Sequence, residues 1–242
     1  MSTVAADWST LSARLENALH LQAAPVFMAF GRAGAPEYDA PMSEPAADGR
    51  AGRAPASCVF WVQAAEREAF TTVAADHGNC SVGLFTHGFA SLDEVAGNDD
   101  VAALLASGWV TESVIPQIPS VTSRPEAITY GRLDAVPDGV SPDVVMLRVN
   151  GRQMMVLSDS IPGLSIQGKP QCHIVAIAKE QSVPAASVGC ALSRSRTGMR
   201  PDEMTCALPA AGLEDTVASI EQTAATDSVV ARYAAEDARR FS

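Results

Sequence analysis

The passage from Asp143 to Ile161 limits how this chain can fold more than any other. DVVMLRVN, residues 143 to 150, has the β-branched content and length of a strand, and GRQMMVLSDSI follows it at once with helical character. The same succession recurs earlier, where AFTTVAAD (69 to 76) runs as a strand into the turn and helix of HGNCSVGLFTHG. Strands alternating with helices imply an α/β architecture. In such folds, sites are expected where strand ends meet helix starts.

The remaining segments fit that frame. Trp8, Leu11, Leu15, Ala18 and Leu19 have the spacing of an amphipathic helix over 7 to 21, with Asp7 as N-cap. VFMAF after Pro25 is a continuous apolar run, as in a buried strand. Residues 31 to 56 carry Pro36, Pro41, Pro45 and Pro55 and read as a long surface loop or lid. A short helix opens at Cys58 with Ser57 as its cap. Leu92 to Ser107 is helical with a break at Gly97, and AITYGRL (127 to 133) is a strand. CHIVAIAKEQ begins a helix at Cys172, ASVGC (186 to 190) is a last short strand, and TCALPA returns to the sheet. Two acidic, Ala-rich stretches, 213 to 223 and 227 to 240, read as surface helices. The expected fold is therefore α/β, a mixed sheet with helices packed on it in one domain over 1 to 210, followed by a helical extension over 211 to 242.

Charge narrows the partners. The chain of 242 residues has a formal net charge of -11, which argues against nucleic acid as a ligand. The charge is uneven: residues 1 to 121 carry net -9, whereas residues 148 to 200 carry net +5. A cationic region in an acidic protein suits a small anionic molecule. No apolar run approaches the ~20 residues of a membrane helix. The N-terminus shows neither a basic nor an apolar signal region, so a cytoplasmic location is expected. In that compartment five cysteines point to metal ligands, catalytic groups or buried small side chains rather than disulfides.

The stretch SVGCALSRSRTGMRPDEM, Ser187 to Met204, gathers Cys190, Arg194, Arg196, Arg200, Asp202 and Glu203 in what reads as a functional loop. Cys58, Cys80 and Cys172 each sit at the edge of a helix or strand. Cys80 is placed at a helix start, where unsatisfied amides favour a thiolate. The intervals between these four cysteines are 21, 91 and 17 residues, so only the tertiary fold can assemble them into one centre. Cys206, in an apolar setting, reads as structural. His77 and His173 lie close to candidate ligands and suit the role of ligand or proton shuttle. His20 reads as a helix C-terminal residue and His87 as a surface one. Trp61, Trp109 and Phe60 are candidates for a subunit interface in a homo-oligomer, although isolated large apolar residues of this kind more often belong to the core.

APVFMAF, SCVFW, HGNCSVG, PDVVMLRVNGRQMMVL, QCHIVAIA and VGCALSRSRTGMRPDEM, in that order, resemble the family called domain of unknown function 169, over roughly residues 10 to 210. The resemblance implies that Cys58, Cys80, Cys172 and Cys190 occupy the family's four cysteine positions and that Arg194, Asp202, Glu203 and Met204 match its closing motif. Val82 stands where a glycine is usual, and Ser193 where some members have a further cysteine. The family has no settled activity to carry over.

Three readings follow. In the first, Cys58, Cys80, Cys172 and Cys190 hold a metal or an iron-sulfur centre. A four-iron cluster is favoured, with zinc as the alternative, because structural zinc sites show close-paired spacing that this chain lacks. Four thiolates suit electron transfer with a redox partner. Three would leave an iron free as a Lewis acid on an anion held by Arg194, Arg196 or Arg152. In the second, a metal-free enzyme uses Cys190 or Cys80 as nucleophile with His77 or His173 as base. In the third, the protein is a non-catalytic sensor or binding module for a small anion.

Overall fold

The computed structural model of the chain describes residues 7–38, 56–197 and 199–241. Its centre is a seven-stranded mixed sheet in the order β2-β3-β1-β4-β7-β6-β5. The strands are β1 (Val26–Gly31), β2 (Phe70–Thr72), β3 (Ala127–Arg132), β4 (Val144–Val149), β5 (Ser165–Gln167), β6 (Ala185–Ser187) and β7 (Met204–Pro209). The β5–β6 pair is parallel and the other named pairs are antiparallel. β1 lies between β3 and β4, which is why VFMAF is apolar at every position: both of its faces are covered.

Alternation along the strands sends side chains into two cores. Val26, Met28, Ile128, Tyr130, Val144, Met146 and Ala207 face one layer, while Phe27, Ala29, Val145, Leu147, Cys206 and Leu208 face the other. The first layer is built from α2 (Ser57–Ala64), α3 (Ser81–Thr86), α7 (His173–Gln181) and α8 (Ala191–Thr197), with α4 (Leu92–Val95) and α5 (Asp99–Ala106) beside α3. The second is built from α1 (Trp8–Leu19), α6 (Gly151–Ser160) and α9 (Leu213–Ala238).

α1 buries Leu11, Leu15 and Leu19 at helical spacing, and its N-cap Asp7 accepts from the Thr10 amide. α6 begins with a reciprocal capping box between Asn150 and Gln153, so β4 passes into it without a linker. α9 is one helix rather than two. Leu213, Val217 and Ile220 complete the second core, and the bidentate Arg14–Glu221 pair ties it to α1. Its distal half leaves Val229, Val230 and Tyr233 exposed.

Other expectations are corrected or narrowed. The strand at 69 to 76 is limited to β2, and a 3-10 turn over Ala74–His77 follows it. Ser57 lies inside α2 instead of capping it, and its hydroxyl engages His77. The supposed loop after Cys190 contains α8, and His87 is fully buried. Phe60 and Trp61 belong to the first core, and Trp109 packs under the Lys169 ammonium at 4.8 Å from the ring centre. Of the long loop at 31 to 56, residues 39–55 fall outside the described residues. Its first part is pinned to the sheet edge where Tyr38 bonds to Thr71 and packs on Phe60 and Phe70. No helix among the described residues is long and apolar enough to cross a membrane.

Candidate thiol site

Each of the four cysteines singled out by sequence stands at a helix start in the first layer. Cys58 is the second residue of α2, Cys80 and Cys172 are the N-caps of α3 and α7, and Cys190 immediately precedes α8. Contacts of α2 with α3 and α8, and of α3 with α7, bring these starts together under one face of the sheet. All four are free thiols with 6–7% of their surface accessible, whereas Phe60 and Ile174 beside them expose none.

Cys58, Cys172 and Cys190 each feel neighbouring sulfurs. Burial first, then the Cys80 sulfur, push Cys58 up to about 12 against the opposing Ser193 hydroxyl and Arg196, with the Cys190 sulfur adding least. Cys172 is raised well above the ordinary thiol range by burial and then by Cys80, Cys58 and Cys190, with the Thr86 hydroxyl as the opposing neighbour. Cys190 is raised by burial. The backbone amides of Ser193, Leu192 and Gln171 work in the other direction. Cys58, Cys172 and Cys190 are therefore protonated near neutral pH unless a cation joins them. Among the described residues, no group of three or more His, Cys, Asp or Glu side chains is arranged so that it could hold a metal ion.

Arg196 is the positive charge of this neighbourhood. Burial opposes its protonation, but the Cys80 sulfur, as a charge and a hydrogen-bond partner, then Cys58 and Asp100, hold its pKa above the ordinary arginine value. Its Nη2 is buried with no oxygen or nitrogen partner among the described residues. The other two arginines singled out by sequence lie elsewhere. Arg194 directs its guanidinium onto the carbonyls of Val188, Arg200 and Glu203 and lies over Gly189, where a Cβ would meet the Arg194 Nη2 at 2.9 Å and the φ of +113° disfavours any side chain. It is a clasp for the loops around α8. Arg152 faces the second layer, where it reaches Asp227 of α9 at 3.6 Å.

His77 joins α2 to β2: its Nδ1 meets the Ser57 hydroxyl at 2.7 Å and its Nε2 the Thr72 hydroxyl at 2.9 Å. Both ring nitrogens are engaged, and burial, then the nearby His87, lower its pKa well below the usual histidine range. His173 follows Cys172 directly. Burial lowers it to about 4, and its Nε2 has no hydrogen-bond partner among the described residues. Cys206 lies in the second core, on the opposite face of the sheet.

Sequence reasoning passes over Ser193, Thr86 and Tyr130 as neighbours of the thiols. Ser193 carried a signal, since it stands where some members of the resembled family have a cysteine, and its hydroxyl reaches towards Cys58. Thr86 and Tyr130 carried none: one lies inside a short helix and the other reads as an ordinary strand residue. The family model for domain of unknown function 169, described as Uncharacterised ArCR, matches residues 14–219. No curated protein and no solved structure matches the chain.

Proposed function

We propose a function from one premise: the chain belongs to the Uncharacterised ArCR family, domain of unknown function 169. Cys58, Cys80, Cys172 and Cys190 act as the ligands of a thiolate-held centre, a four-iron cluster with zinc as the alternative. The supporting observation is the meeting of four reduced thiols, distant in sequence, in one buried neighbourhood where burial and the neighbouring sulfurs raise the pKa of Cys58, Cys172 and Cys190. Such a group gains nothing from deprotonation alone, whereas a cationic centre would draw off the protons and offset the repulsion. When bound, the cluster supplies one-electron transfer, or Lewis acidity if one iron keeps an open position.

The chain's own residues prepare that place. The amides of Leu192, Ser193 and Gln171 favour a negative Cys190 sulfur, the Ser193 and Thr86 hydroxyls do the same for Cys58 and Cys172, and Arg196 offsets charge at Cys80. Hydrogen bonds to ligand sulfurs set cluster potentials, so these groups would tune the centre. Near-complete burial keeps water away. The proposal implies a reducing compartment such as the cytoplasm.

The test is anaerobic purification followed by iron, sulfide and zinc analysis of the wild type and of Cys190→Ser. Stoichiometric iron and sulfide, lost in the variant while the fold persists, is the expected result. Wild-type protein without metal, or full occupancy in Cys190→Ser, would remove the proposal or that ligand.

Arg196 beside Cys80, together with the His173 Nε2, which has no hydrogen-bond partner among the described residues, favours a second reading. In it the protein is a metal-free enzyme with Cys80 or Cys190 as nucleophile. A colourless protein with one rapidly alkylated thiol would support this over the first.

A further inference from the structure

Beyond the last residues of β3 and β4 and before the first of β1 and β7, a cavity of about 540 Å³ opens at one end of the sheet. Its size falls within the range of small-molecule sites. Arg132, Arg148 and Arg200 line it, and they are not equivalent. Arg132 commits Nε and Nη2 to Asp134, and Arg200 commits the same two atoms to Asp202. Arg148 gives only its Nε to Glu203, and neither of its Nη groups has a hydrogen-bond partner among the described residues. Yet this is the least exposed of the three guanidiniums, its side chain 18% accessible and that of Glu203 11%.

Glu203 is itself held. Its second carboxylate oxygen accepts from the Arg200 amide at 3.3 Å, and its carbonyl accepts from Arg194 at 2.8 Å. Arg148 is thus oriented through Nε while its Nη pair stays open, a fork that matches two oxygens of a carboxylate or phosphate. Glu16, Glu66 and Asp202 on the cavity wall disfavour polyanions, and the cavity's volume limits the occupant to a small molecule.

We propose that this cavity binds a small molecule bearing one carboxylate or phosphate, whose oxygens take the two Nη groups of Arg148, with Glu203 as positioning residue. This site is separate from the thiols, and binding there needs no metal.

The test is calorimetric titration of the full chain with acetate and with inorganic phosphate, in the wild type, in Arg148→Gln combined with Glu203→Gln, and in Arg152→Gln outside the cavity. The paired substitution removes both charges at once, so no lone carboxylate is left half-buried. Saturable binding of either probe, weakened at least about tenfold in the paired variant and unchanged in Arg152→Gln, is expected. Binding of acetate alone would mark the ligand as a carboxylate, and of phosphate alone as a phosphate. If the paired variant does not fold, Arg148→Lys takes its place, keeping the charge but not the fork, and the same weakening is expected. No saturable binding by the wild type, or equal binding by the Arg148 variant, would overturn the proposal.

Discussion

Arg196 of α8 stands beside the Cys80 sulfur at the start of α3, joining two elements that lie far apart in the sequence. If the thiols hold a metal or cluster, this guanidinium offsets charge on the ligand set. Arg196→Gln should then weaken metal retention by about 10- to 100-fold, the usual scale for groups that support ligands from behind. Arg196→Lys should recover part of the loss. Competition with a chelator under anaerobic conditions measures both, and unchanged retention in Arg196→Gln would separate that side chain from the site.

The metal-free protein should lose stability in alkali. Cys58 and Cys206 are pushed up to about 12 from an ordinary 9.0, Cys58 chiefly by burial and Cys206 by burial alone. The unfolded chain therefore releases these protons first as pH rises. Their contribution is complete below about pH 9 and declines towards pH 12, by about 1.4 kcal/mol per pH unit for each thiol. Urea melts across that range should show the decline, and Cys206→Ala should flatten it.

In acid the sign reverses for histidine. Burial lowers His87 and His173 from 6.5 to about 4, so the unfolded chain takes up protons that the native state refuses. Stability from this source is complete above pH 6.5 and falls as pH drops towards 4. Melting temperatures between those values should fall more steeply in the wild type than in His87→Phe, provided that variant folds at pH 7.

Arg194 and Gly189 should behave as one structural unit. Arg194→Ala releases three carbonyls, and Gly189→Ala places a methyl 2.9 Å from the Arg194 Nη2 at a backbone angle hostile to side chains. Each should cost about 1–3 kcal/mol in chemical denaturation, and the double variant less than their sum. Full additivity would mean that the two residues act independently.

The fold was largely legible because periodicity and length marked most elements: VFMAF, AITYGRL and DVVMLRVN became β1, β3 and β4, and the break at Gly97 fell between α4 and α5 as expected. β5 carried too little signal, being three residues with no fully buried position. α8 was hidden because ALSRSRT has no apolar stripe and buries only Ser193. His87 was misread because its burial depends on Trp61 and Phe30, which reach it from other elements. The positions of the four cysteines at helix starts could be read locally, whereas their mutual approach depends on how α2, α3, α7 and α8 stack. The cavity at Arg148 left no linear trace, since its walls come from both halves of the chain.

Cys206 adds a different kind of information. Sealed beneath the α1, α6 and α9 layer, it can meet a thiol reagent only when that layer parts from the sheet. The four remaining thiols lie across the sheet, so their labelling reports on the other half of the molecule. The labelling rate of Cys206 thus serves as an internal clock for opening of the protein, and any ligand that closes the structure should slow it.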